Sequence, residues 1–144
     1  MTTRTLGPRL GTALLVLRVA LGITMLAHGY QKLFVFGFAG VSGAFAQMGI
    51  PMPGVVGPLV ALLEFLGGIT LVIGLLTRLT AIGMAIDMLG ALAMVHVKNG
   101  FFMPTGFEFV FVLLGMSIAI ALAGAGDLSV DDVIGRRRAE AVRP

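Results

Sequence analysis

The sequence predicts an all-α integral membrane protein, a bundle of four spanning helices. Three observations lead there. Of its 144 residues, 58% are hydrophobic and only 12% charged, with a mean hydropathy of +1.04, whereas soluble domains carry about 25% charged residues. Four apolar stretches approach the roughly 20 residues a helix needs to cross about 30 Å of hydrocarbon. All four carry ionisable residues in or beside the apolar run. By insertion scales each such charge costs about 2.5–3.5 kcal/mol in lipid, so these groups should face protein.

The first stretch covers 10–36. Arg4 and Arg9 before it imitate a signal peptide, but the apolar run exceeds the 7–15 residues of such a segment, Arg18 interrupts it, and no A-x-A-like site follows. A retained helix is expected. Residues 37–58 are rich in Gly and Pro. Within them Val41, Phe45 and Met48 fall at i, i+4, i+7, the spacing of a short interfacial helix. A plain loop is the alternative. The second span is 55–76, a tight turn follows at Thr77-Arg78, and the third is 79–97. Asn99-Gly100 and Pro104 mark 98–106 as a loop, and the fourth span is 107–123. Glycines end it at 124–126. A brief amphipathic segment at 127–134 completes one membrane domain over 1–134, and 135–144 forms a basic tail.

Lys and Arg distribution sets orientation. Arg4, Arg9, Arg78, Arg136, Arg137, Arg138 and Arg143 fall on one side, Lys32 and Lys98 on the other. This predicts a multi-pass protein of the cell (inner or plasma) membrane with both termini cytoplasmic. The sequence pI near 10.2 then reflects contact with lipid headgroups. Nucleic acid is not an expected partner, because no basic–aromatic face is interleaved. The chain has no cysteine, which excludes thiolate, disulfide and Fe–S chemistry of its own.

At about 100° per residue, Arg18, Met25, His28 and Lys32 project within roughly 80° of one another on the first helix. By depth, Arg18, Glu64 and Asp87 form an inner layer, where Arg18 paired with Glu64 or Asp87 would neutralise charge and fix register. His28, Lys32, His96, Lys98 and Glu108 form an outer layer. His28 and His96, from different helices, could shuttle protons, hydrogen-bond a quinone carbonyl, or ligate haem iron. Haem ranks well below the others, and no metal-binding spacing is present. Asp87 and His96 are about 180° apart on an ideal helix, which sets them against sharing one pocket unless the helix departs from ideal. Gly67 and Gly68 follow Glu64. They serve either close helix packing or room for a flat ligand beside the carboxylate. Nine methionines suit an adaptable apolar cavity.

Arg18 and Gly22 in LRVALG, HGYQKL at 28–33, GIPMP at 49–53, EFLGG at 64–68, the LLTR turn ending at Arg78, His96 before KNGFF, GFE at 106–108 and GAGDLSVDD at 124–132 together resemble the DoxX family over roughly 14–132. The resemblance implies a four-helix membrane bundle, related to the DoxD-type membrane subunits of thiosulfate:quinone oxidoreductases. It implies a link to quinone-dependent redox complexes. The polar positions matching the pattern are Arg18, His28, Lys32, Glu64, His96 and Glu108; Asp87 has no clear counterpart.

The expected function is therefore a membrane subunit of a quinone-linked oxidoreductase or redox-associated complex. His28, His96, Glu64 and Glu108 are the catalytic candidates, and His28, Lys32, Gly67, Gly68 and His96 would hold the cofactor. Arg18, Asp87 and Glu64 would be a structural ion-pair group. Partners would be membrane lipids and a soluble redox protein or a second copy of the chain. The rival readings are a lipid- or small-molecule-binding protein, a scaffold for soluble redox enzymes, and a proton-coupled transporter using Glu64 and Asp87.

Overall fold

The computed structural model describes residues 7–142, and all its regular structure there is helical. α1 (Pro8–Tyr30) starts on Gly7 with Pro8 in its first turn, where a missing N–H costs nothing. It runs on through a π-helical turn, Gln31–Phe36, held where Phe34 packs edge-on against Phe65 at 5.5 Å. Gly37, at φ 67°, ends this run in a conformation that glycine takes without a Cβ clash. α2 (Gly37–Gln47) follows. The first part of the segment left open between helix and loop is thus helical. Val41 is buried, and α2 packs closely on the next helix at Gly57, where an added Cβ would lie 3.2 Å from Val41.

α3 (Pro53–Ile73) again carries Pro in its first turn. It ends at Gly74, whose N–H donates to Thr70 O at 2.9 Å. α4 (Thr77–Ala91) continues through a π-helical turn, Leu92–His96, and a 3-10 turn, Val97–Asn99. After a loop come α5 (Glu108–Ala123) and α6 (Val130–Ala141). One end of the bundle, the turn end, holds the start of α1, the α3–α4 turn and 124–142. The other, the loop end, holds 31–52 and 97–107.

Three helical runs are long and apolar enough to cross a bilayer: Arg9–Gln47, Pro53–Ile73 and Thr77–Asn99. The fourth apolar helix, Glu108–Ala123, has 16 residues and so about 24 Å of length. The surface is apolar around the middle, with Ile23, Leu66, Ile86 and Ile118 exposed, as expected where lipid is the solvent. The interior packs Leu21, Met25, Leu71, Met84, Met88, Leu113 and Ile120.

Glycines set the helix spacing. An added Cβ on Gly68 would lie 2.5 Å from Leu26 N, and one on Gly29 only 2.2 Å from Phe65 N. The α1 and α3 backbones therefore touch, the close approach that small residues permit in membrane bundles. Gly67 similarly admits Met84 and Thr80 of α4, beside a Thr70–Thr80 hydroxyl contact of 3.0 Å.

Candidate functional site

The polar stripe of α1 faces inward. Arg18 and Met25 are buried, and His28 and Lys32 are half-buried. The stripe does not serve one layer, however. Arg18, at 1% exposure, does not pair with Glu64 or Asp87 as expected. Its Nη1 donates to Leu71 O at 3.1 Å and Val72 O at 3.4 Å, and its Nη2 donates to Leu128 O at 2.6 Å. Leu71 and Val72 lie in the last turn of α3, whose carbonyls lack helical partners, and a cation there also meets the negative end of the helix dipole. The carboxylate acting on Arg18 is Asp131, from the segment that sequence spacing left at the periphery.

That segment is a clamp. Asp131 accepts from Leu76 N at 2.8 Å and Thr77 N at 2.9 Å, while its own N–H donates to Gly74 O at 2.9 Å. It thereby caps the start of α4. Ser129 accepts from Asp132 N at 3.1 Å and so caps α6. This Ser-x-x-Asp spacing was readable as a helix start. The long-range docking was not.

With Arg18 engaged elsewhere, Glu64 has a different cation. Lys32 Nζ lies 2.5 Å from Glu64 Oε2, the two side chains being 20% and 5% exposed. Lys32 sits near the loop end, and its long stem reaches down to the carboxylate. Asp87 lies beside both groups. Its Oδ2 is buried and takes no hydrogen bond from the described residues. The acids thought to form an inner layer with Arg18 therefore belong with Lys32.

Two cavities border both Lys32 and Glu64. The larger, about 410 Å³, is lined by Lys32, Glu64, Asp87 and His96 and by apolar residues that include Val60 and Met88. Its lining includes Ile86 and Met94 of the Thr77–Asn99 run, which are 67% and 41% exposed. In a spanning helix, exposed apolar side chains face lipid, so the cavity opens sideways to the bilayer. The smaller, about 220 Å³, is lined by His28, Lys32, Glu64, His96 and Phe109, among others.

Asp87 and His96 do share the larger cavity. The π-helical turn at Leu92–His96 lies between them. Its i→i+5 bonding puts more residues in each turn, so each advances by less than 100° and His96 swings toward the Asp87 side. His96 Nδ1 lies 3.2 Å from Thr105 O. A carbonyl only accepts, so Nδ1 carries the proton and, in the neutral ring, Nε2 is left as an acceptor. His28 packs against Phe109 at 5.9 Å and lines only the smaller cavity.

Four other residues expected at or beside the site lie elsewhere. Gly67 and Gly68 are filled by neighbouring helices, so they offer no space for a flat ligand; packing is their role. Glu108 accepts from Met103 N at 2.7 Å and lines neither cavity. Lys98 is exposed. No group of three or more His, Cys, Asp or Glu among the described residues has metal-site geometry.

A family model described as DoxX matches residues 13–97. The chain belongs to the DoxX family. The matched region contains Arg18, His28, Lys32, Glu64, Asp87 and His96, and ends before Glu108. The DoxX chain is 33% identical over 121 residues to "Putative oxidoreductase CatD" of Bacillus subtilis (strain 168), covering 83% of this chain and 85% of the relative. It is 31% identical over 129 residues to "Inner membrane protein YqjF" of Escherichia coli (strain K12), covering 85% and 92%. It is 28% identical over 137 residues to "Uncharacterized membrane protein Rv3486" of Mycobacterium tuberculosis (strain ATCC 25618 / H37Rv), covering 87% and 83%. No solved structure matches it. This DoxX chain is a membrane protein.

Proposed function

We propose that this protein is the membrane component of a quinone-linked oxidoreductase assembly, with the quinone ring held in the larger cavity. The carrying observation is that cavity's make-up. It is about 410 Å³, within the roughly 300–1,000 Å³ of small-molecule sites. Its walls are mostly apolar, its few polar groups converge on one side, and its rim meets lipid, where a quinone is dissolved. The oxidoreductase name borne by one relative is in keeping with this reading.

In the proposed site Lys32 donates to a ring oxygen while remaining paired to Glu64. His96 Nε2 and Asp87 Oδ2 accept from the hydroxyls of the reduced ring. Reduction of a quinone takes up as many protons as electrons, so these groups, with Glu64, give the protons a path. The chain has no cysteine, and we propose that electrons arrive from a soluble redox partner. Both termini are proposed to be cytoplasmic, from the arginine bias of the turn end, which places the ring near the outer side.

The test is titration of purified protein with a short-chain quinone, with analysis of co-purified lipid. Wild type should bind, and His96→Ala should weaken binding about tenfold, the worth of one good hydrogen bond to a buried polar group. Absence of both co-purified and added quinone from wild type would sink the proposal. A ligand-binding protein without turnover is the second reading, favoured by the lack of any cysteine. It would bind the quinone, yet show no reduction with any co-purifying partner.

A further inference from the structure

We propose that α6 is a surface anchor that binds the headgroup layer of a bilayer containing anionic lipid. This inference does not rest on the quinone reading. α6 is fixed at the membrane boundary. Its first turn is bonded through Asp131 to Gly74, Leu76 and Thr77, the turn that joins two spanning helices. From there the helix presents an unpartnered apolar row: Val130, Val133 and Ile134, at i, i+3 and i+4, are 37%, 49% and 39% exposed. Arg137 extends the row at i+7, Ala141 at i+11, and Arg138 flanks it. An apolar stripe edged with arginine is the pattern of a helix lying in the lipid interface, with the arginine stems snorkelling to the phosphates.

Charge decides the occupant. The acids of the first turn are already engaged: Asp131 holds the turn amides, and Asp132 pairs with Arg136 at 2.7 Å. Asp132 lies on the opposite side of α6 from the apolar row, and Asp131 lies on its flank, turned to the α3–α4 turn. Exposed Glu140 and half-buried Asp127 are left as acids, against exposed Arg137 and Arg138 of α6 and exposed Arg9 and Arg78 of neighbouring elements. Arg78 donates to Leu122 O at 3.3 Å, which puts it at the end of α5, on the same boundary. The free charge around the row is therefore cationic at the level of the headgroups. Anionic lipid is the partner of matching charge that is already there. The clamp gives the contact a reach into the bundle, because the Leu128 carbonyl held by Arg18 lies two residues before α6.

The chain's lack of cysteine makes single-site labelling clean. Val133→Cys carries a fluorophore, and the full chain is reconstituted in vesicles of phosphatidylcholine alone or mixed with phosphatidylglycerol, each doped with a brominated-lipid quencher. Strong quenching is expected in the anionic vesicles and weaker quenching in the neutral ones. At about a fivefold population change per arginine, Arg137→Gln with Arg138→Gln should lower the bound-to-free ratio on the order of twentyfold. Added salt should lower it too, through screening. A label on Ile118→Cys, exposed on α5 one turn inside its end, stays quenched in every sample and confirms an intact bundle. Equal quenching in both vesicle types, or no response to loss of the arginines, would overturn the proposal. A label that stays water-accessible in anionic vesicles until a soluble protein is added would also overturn it.

Discussion

Replacing Lys32 with methionine tests how the buried charge is balanced. Lys32 and Glu64 meet at 2.5 Å with side chains 20% and 5% exposed. An exposed pair would be worth about 0–1 kcal/mol, whereas removing one partner of a buried pair costs about 3–5 kcal/mol, because the other charge is left desolvated. Glu64 is buried but Lys32 is one-fifth exposed, which argues for the lower end, near 3 kcal/mol. Asp87 adds to the penalty, since Lys32→Met leaves two neighbouring carboxylates facing no cation. Glu64→Gln in the same chain removes one of the two stranded acids at nearly the same volume and ends the repulsion between them. The double variant should therefore be more stable than Lys32→Met alone, with a coupling energy of about 2 kcal/mol or more. The assay is equilibrium unfolding of the four proteins in mixed micelles of mild detergent and dodecyl sulfate. Additive losses, with coupling below about 0.5 kcal/mol, would refute the reasoning and return Lys32 to a solvated role.

Three further outcomes follow from the same geometry. Arg18→Leu loses the bonds to Leu71, Val72 and Leu128, at about 1.5–3 kcal/mol for each strong charged bond, less the recovered desolvation. The segment after 123 should then be cleaved faster in limited proteolysis while the spanning helices resist. Gly68→Val should cost about 3 kcal/mol or more, since its Cβ would sit 2.5 Å from Leu26 N and backbone cannot yield as a side chain does. Gly115→Ala, with nothing within 4 Å of its Cβ, should be neutral or stabilise by up to about 1 kcal/mol; unfolding in the same micelles compares the two. Glu108→Ala loses the bond to Met103 N and about 1–2 kcal/mol. Short-chain quinone affinity should not change, because Glu108 lines neither cavity.

Much of this fold is written in the hydrophobic pattern. Long apolar runs, with charges gathered on one face, required a membrane bundle and placed three of its spanning helices. The inward stripe from Arg18 to Lys32 was legible for the same reason, because helical periodicity is local. What was not legible depends on reach and on departures from ideal geometry. Depth counted along the backbone put Arg18 level with Glu64, yet the guanidinium turns toward the end of α3, where orphan carbonyls compete successfully for it. Lys32, counted as outer, extends inward to Glu64. The placement of His96 with Asp87 hinges on a π-helical turn, and nothing in LAMVH announces one. Gly67 and Gly68 had two readings, and only the position of Leu26, Thr80 and Met84 decides between them. Asp131 shows the general difficulty. Its sequence suggests a surface acid, and its role appears only when a segment over 50 residues distant folds against it.

The most direct test of the central claim is photolabelling with a light-activated short-chain quinone, mapped by mass spectrometry. A ring bound in the cavity puts label on residues such as Val60, Met88 and Met94, and unlabelled quinone should compete it away. Label spread instead over lipid-facing positions such as Ile23 and Leu66, without competition, would mean that the quinone only dissolves around this protein and the cavity serves another ligand.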